Sequence, residues 1–191
     1  MHCQQLIHPK MPAALKASIA GFAIALHQQR TGFDLVYGNP NPNTTSDQYR
    51  QYIKQHGMPR PVGFWRLPDK LKREVESWNQ LVGTEPRGVD WQIQFVKGGS
   101  SIAPHKDLTS KRTHNIVYVI QTGGNNVATS WWRTKDDSAV PETTTIPFEQ
   151  LELKESCILQ EDGMYELDVS TIHSVSKFDA HRILLSYSVI K

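Results

Sequence analysis

His105 and Asp107 stand two residues apart in "IAPHKD", just ahead of the apolar run "HNIVYVIQ". In an extended segment, residues i and i+2 project to the same side. Pro104 favours extension, because its own φ is held and Ala103 before it is turned away from helix. An imidazole and a carboxylate side by side can take two adjacent positions on a divalent ion. A polar turn leading into a strand would use the same pair for no chemistry at all. His173, in "VSTIHSVS", is the expected third ligand, since it lies in a β-like run where a histidine has no evident core role. Two histidines and one carboxylate with the opposite positions left open form the donor set of a non-haem iron site. A structural zinc site wants four closed positions, usually with thiolates, and neither Cys3 nor Cys157 is placed to supply them.

Arg182 follows nine residues after His173 and opens the apolar strand "RILLSYSVI". A cation at the start of an inward-facing strand is costly unless it meets an anion. Its planar fork suits a carboxylate held through two parallel hydrogen bonds. If 171–176 and 182–189 pair through "SKFDA", His173 and Arg182 stand opposite each other on one face. Pairing of Arg182 with Asp179 or Glu166 at the surface is the plain alternative.

The elements that must position these side chains change character along the chain. Up to about residue 89 the sequence reads as helix and loop. Leu15, Ile19, Phe22 and Leu26 recur at helical spacing, with Gly32 as a stop. Pro40 and Pro42 mark a turn-rich loop over 37–48, and Ser46 or Asp47 could cap a short helix that ends at Gly57. Asp69 caps a stronger helix on which Leu71, Val75, Trp78 and Val82 share a face. From residue 90 the period becomes two. Trp91, Ile93 and Phe95 alternate with Gln92 and Gln94. "HNIVYVIQ", "NVATSWWR", "TTTIPF", "SCILQ", "MYELDVSTIHSVS" and "RILLSYSVI" then predict short strands. Helices first and strands after give a mainly β chain with an N-terminal helical elaboration (1–89) and a β core (90–191) in one structural domain.

Composition narrows the function classes. The chain has 191 residues, 38% hydrophobic and 21% charged, with a formal net charge of +2. That is an ordinary folded composition, and the near-neutral balance gives no reason to expect a nucleic-acid or membrane partner. Two cysteines are too few for a disulfide scaffold, and both are expected as reduced thiols. No run is long enough to span a bilayer. The apolar "ALKASIAGFAIALHQQ" carries Lys16 and lacks a convincing cleavage site, so it is read as mature structure and the chain as cytoplasmic.

"HKD", then "IHSV", then "HRILLSYSV" resembles the His-x-Asp…His…Arg order of the 2-oxoglutarate- and Fe(II)-dependent dioxygenases. The likeness covers about residues 90–190. It implies a double-stranded β-helix (jelly roll) core, Fe(II) on His105, Asp107 and His173, and the C5 carboxylate of 2-oxoglutarate on Arg182. It also implies consumption of O2, release of succinate and CO2, and hydroxylation of a C–H bond in an amino-acid residue or small metabolite. "KRTHNIVYVI" is similar to a strand of aspartyl/asparaginyl β-hydroxylase relatives. This would make His114 a second contact to the cosubstrate, although that subfamily typically lacks the Asp of this metal site. His114 is equally readable as structural, and Tyr118 on the same strand face as core.

A small-molecule or peptidyl substrate fits this reading, while the oligomeric state is not legible. Nucleic-acid alkyl-repair relatives carry a second Arg six residues after the first, where this chain has Ser188. A non-catalytic jelly-roll binding module is the competing function. Of the adjacent Trp131 and Trp132, at most one can face a pocket. The segment 37–65 is the expected lid or pocket wall, because loops over a rigid scaffold carry specificity.

Overall fold

The computed structural model of the chain describes residues 1–29, 62–80, 91–107, 113–140 and 145–189. The Gly32 stop, the loop and short helix expected over 37–57, and the expected boundary between 89 and 90 lie outside the described residues.

Among them, ten strands form two antiparallel sheets, accompanied by two α-helices. In chain order the elements are β1 (Cys3–Leu6), α1 (Ala13–Gln29), β2 (Val62–Arg66), α2 (Asp69–Gln80), β3 (Gln92–Val96), β4 (Ile102–His105) and β5 (His114–Thr122). These are followed by β6 (Ala128–Thr134), β7 (Leu151–Ile158), β8 (Met164–Asp168), β9 (Ile172–Val175) and β10 (Arg182–Val189). The larger sheet runs β1-β8-β5-β10-β3-β2, and the smaller runs β4-β9-β6-β7.

Period-two alternation sorts the larger sheet into two faces. Ile93 and Phe95 on β3, Ile116 and Tyr118 on β5, and Ile183 and Leu185 on β10 share one buried cluster with the helices. α1 brings Leu15, Ile19 and Ala23 to it, and α2 brings Val75 and Trp78. Each such aliphatic or aromatic side chain contributes roughly 1.5–3 kcal/mol by leaving water. A polar clasp fixes the start of α1. The Tyr118 hydroxyl accepts the Met11 N–H (2.9 Å) and donates to Asp162 (3.1 Å), which also holds Lys16 Nζ at 2.7 Å. Burial pushes the Tyr118 phenol up to about 12, so it stays a donor at neutral pH. The alternate residues, among them Gln94, Val96, Asn115, Val117, Arg182 and Leu184, face the smaller sheet and a cavity between the two.

Three expectations are corrected. The first ninety residues are not helix and loop alone. β1 and β2 form the two edges of the larger sheet, and β2 takes up the end of the segment expected as a lid. The described part of "TTTIPF", from Thr145 on, makes no strand: Thr145 forms an isolated bridge to His105, and Pro147, which has no N–H to give a ladder, leads into a 3-10 turn at Phe148–Gln150. "MYELDVSTIHSVS" is two strands in different sheets. The Asp168 carboxylate accepts the N–H groups of Ser170 (2.9 Å) and Thr171 (3.3 Å), and this turn carries the chain from β8 across to β9. As a result β9 and β10 do not pair. β9 lies between β4 and β6, and β10 between β3 and β5. His173 and Arg182 therefore meet across the two sheets and not along one ladder. No described helix is long and apolar enough to cross a membrane.

Candidate metal centre

His105 is the last residue of β4 and His173 the second of β9, and the antiparallel ladder makes them direct cross-strand partners. Their ring centroids are 4.3 Å apart. The strand has ended before Asp107, whose backbone N–H donates to the Val169 carbonyl (3.2 Å) and whose Oδ1 lies 3.4 Å from His105 Nε2. One ligand atom from each of His105, Asp107 and His173 falls within 4.8 Å of the other two. All three residues are buried, at 4%, 6% and 9% exposure.

Backbone carbonyls fix the histidine tautomers. His105 Nδ1 donates to the Ala103 carbonyl (2.8 Å), and His173 Nδ1 donates to the Thr171 carbonyl (2.9 Å). A carbonyl can only accept, so each neutral ring carries its proton on Nδ1 and offers the Nε2 lone pair. Histidines that bind metals are commonly held this way.

Arg182 lines the same cavity from the opposite sheet. It is 3% exposed, has no ion-pair partner among the described residues, and its Nε makes no hydrogen bond. Its guanidinium carbon sits 5.7 Å from the centre of the Phe178 ring. Burial draws its pKa down to about 10, which still leaves it charged at neutral pH. The Thr129 hydroxyl, on β6, is a second buried polar atom of the cavity wall without a partner. Unpaired buried donors cost about 1–3 kcal/mol each, and more when charged, so both fit a site that takes an anionic ligand. The donor set of the triad fits a divalent first-row ion such as Fe(II). The cavity of about 90 Å³ is several times the roughly 10–15 Å³ that one water needs by the same measure.

His114 is not brought to this cavity. Alternation along β5 puts Asn115 on the cavity wall, and His114 Nδ1 lies 3.1 Å from the Thr113 hydroxyl. Tyr118 is fully buried beneath the helices. Of the tryptophan pair, Trp131 lines the cavity, and Trp132 turns away to donate to the Ser174 hydroxyl (2.9 Å). His181 accepts the Gly98 N–H outside the site.

Asp168 was missed by sequence reasoning. Besides the two N–H groups, it accepts the hydroxyls of Ser170 (2.6 Å) and Thr171 (2.9 Å), and the His2 ring lies against it (Nδ1–Oδ2, 3.0 Å). Burial alone would raise its pKa, but hydrogen bonds from Ser170, His2 and Thr171 outweigh that and hold it well below the usual carboxylate range. The turn it organises presents the Thr171 carbonyl to His173. "DVST" is an Asp-x-Ser-Thr signal for such a turn, and it was legible.

No protein-family model matches the chain, and none of the curated proteins does. Among solved structures, the chain is similar to a prolyl hydroxylase from Trichoplax adhaerens in complex with a hypoxia inducible factor oxygen degradation domain peptide fragment. The two share 10% identity over 97% of this chain and 81% of that one, with a TM-score of 0.54. A Pseudomonas putida prolyl-4-hydroxylase is 16% identical over 100% and 89% of the two chains, with a TM-score of 0.44. A non-heme alpha ketoglutarate dependent epimerase from nogalamycin biosynthesis is 11% identical over 97% and 76%, with a TM-score of 0.48. At 10% identity the likeness to the Trichoplax adhaerens enzyme is one of fold alone.

Proposed function

We propose that the chain is an Fe(II)- and 2-oxoglutarate-dependent oxygenase that hydroxylates a C–H bond of a peptidyl or small-molecule substrate. One observation carries this reading: a buried His-Asp-His cluster and an unpaired buried arginine line one cavity from opposite sheets. In the proposal, residues 90–191 form a double-stranded β-helix core on which residues 1–89 pack within one domain. The solved prolyl hydroxylase of similar fold holds a peptide fragment, which supports a peptidyl substrate.

His105, Asp107 and His173 would hold the iron, the histidines through Nε2 and the aspartate through one oxygen. Arg182 would bind the distal carboxylate of 2-oxoglutarate with its planar fork, and Thr129 offers the adjacent wall a hydroxyl. When bound, Fe(II) with 2-oxoglutarate and O2 supplies oxidising power that ends in succinate, CO2 and a hydroxylated substrate. The chain's own work is to keep the ligand tautomers fixed, orient the cosubstrate and exclude water. Val117, Trp131, Leu167 and Leu184 form the apolar wall that serves the last of these.

The test is anaerobic loading with Fe(II), followed by 2-oxoglutarate and air, with succinate as the readout. Succinate is expected from the wild type even without substrate, as slow uncoupled turnover, and is expected to be lost in His105→Ala and Asp107→Ala. No succinate under any condition, with no coupled binding of Fe(II) or Mn(II) and 2-oxoglutarate, would instead make the chain a non-catalytic binding module.

A further inference from the structure

The chain's two cysteines, 154 positions apart in sequence, lie against each other, with Cys157 Sγ donating to Cys3 Sγ at 2.7 Å. Both are free thiols and both are part-exposed. Cys3 sits on β1, an edge of the larger sheet that pairs only with β8. Cys157 sits on β7, an edge of the smaller sheet that pairs only with β6. No backbone ladder joins these two edges, so the thiol pair is a direct side-chain link between them. The pair packs on a buried cluster whose members Val117, Trp131, Leu167 and Leu184 also line the cavity of the candidate metal centre. Two small apolar side chains would fill that space equally well, but they would not bring two sulfurs into contact. The two thiols are also unequal. The hydrogen bond from Cys157 lowers the Cys3 pKa against the opposing effects of burial and Glu155, while the same bond and burial raise that of Cys157. Cys3 is thus the thiolate-forming partner and Cys157 the thiol that stays protonated.

We propose that Cys3 and Cys157 are a redox modification site, at which a hydroperoxide closes an intramolecular disulfide between the free edges of the two sheets. The Cys3 thiolate attacks the peroxide oxygen, the O–O bond breaks, and the leaving alkoxide or hydroxide takes up a proton as ROH or water. Cys3 is then a sulfenic acid. Cys157 sulfur displaces its oxygen, which departs as water with the thiol proton, and the S–S bond forms. Two thiols lose two electrons and two hydrogens, and the peroxide is reduced by the same two electrons. The bond would also secure the neighbouring His2, whose backbone N–H donates to Glu155 on β7 (2.9 Å) and whose ring lies on Asp168 and is stacked on Trp131 (centroids 5.9 Å apart). Closing it fastens the strand that abuts the turn leading into β9 and His173. This inference does not depend on the oxygenase reading, and its test contains no metal.

The experiment treats the full chain, with a chelator present, with stoichiometric hydrogen peroxide. Intact mass, free-thiol titration and non-reducing electrophoresis are then read. The wild type is expected to lose both thiols together, to fall in mass by two hydrogen atoms, to remain monomeric in the denaturing gel, and to gain an upward shift in Tm. Dithiothreitol should reverse the thiol loss, the mass change and the Tm shift, and leave the chain monomeric. Cys3→Ser and Cys157→Ser should show neither the loss of two hydrogen atoms nor the reversible Tm shift. Retention of both thiols, gain of oxygen mass on either sulfur, or cross-linking only between molecules would each overturn the proposal. Because the decisive readings come from the wild type, a variant that fails to fold does not weaken them.

Discussion

At the scale of single residues, Arg182 has the least comfortable position in the described chain. It is charged and almost wholly buried, and no described carboxylate forms an ion pair with it. Its folded pKa is depressed, so the fold bears a cost for holding it protonated. The sign follows from linkage: the cost is fully present below about pH 10 and is relieved as the pH rises through that value. Arg182→Met keeps much of the bulk and removes the charge. It is expected to leave Tm unchanged or raise it, as replacement of buried charges by apolar side chains often does. Affinity for 2-oxoglutarate should fall roughly tenfold to a hundredfold, the worth of charge-assisted hydrogen bonds of about 1.5–3 kcal/mol. Mn(II) affinity in the absence of 2-oxoglutarate should not move. Calorimetric titration separates the two constants, and a loss of metal affinity as large as that of the dicarboxylate would remove Arg182 from the role.

At the scale of elements, the candidate metal centre depends on the turn between β8 and β9 as much as on the strands. Asp168 gathers Ser170, Thr171 and His2, and the turn it shapes points the Thr171 carbonyl at His173. Asp168→Asn keeps the shape but exchanges one acceptor oxygen for a donor that the Ser170 and Thr171 hydrogens cannot use. Changes at groups supporting a metal ligand typically cost about 10- to 100-fold in metal affinity, and that loss is expected here. The Co(II)-substituted protein should show an altered visible absorption band, while far-UV circular dichroism keeps its wild-type shape. An unchanged band and affinity would leave the turn a purely structural feature.

Gly123 makes a similar demand on the other sheet. It takes a positive φ of 84°, and a Cβ there would stand 2.8 Å from Phe178 Cδ1 and 3.0 Å from Arg182 Cβ. Gly123→Ala should therefore destabilise the fold by about 1–3 kcal/mol and weaken 2-oxoglutarate binding through Arg182. Denaturant titration and calorimetry would measure the two effects.

Strand existence was legible because short runs such as "HNIVYVIQ" and "RILLSYSVI" are rich in Val, Ile and Tyr and are set apart by turn-like breaks. The distinction between His114 and Asn115 on β5 was not. Alternation says that neighbours face opposite ways, but it does not say which face meets the cavity. Partner choice was illegible too. "STIHSVS" and "HRILLSYSV" are close in sequence and look like a hairpin, yet the turns around them send each strand to a different sheet.

At the scale of the whole molecule, that separation is what gives the site its leverage. The His-Asp-His cluster belongs to the smaller sheet and the Asp107 loop beside it, and Arg182 belongs to the larger sheet. A ligand chelated at one wall and held by its far carboxylate at the other would tie the sheets together through the cavity. Metal alone engages one wall, and a dicarboxylate alone has only the cation of the other. Their binding should therefore be coupled, each raising the affinity for the other by the same factor, as linkage requires. A ligand present at a hundred times its Kd stabilises a fold by about 2.7 kcal/mol. In a chain of this size that is roughly 5–11 °C in Tm. Mn(II) should produce a shift of that order, 2-oxoglutarate alone a small one, and the two together more than their sum. In Arg182→Met the excess should vanish and the Mn(II) shift remain. Strictly additive shifts in the wild type would mean that the two walls do not share one ligand, and the case for a chelated dicarboxylate would fail with them.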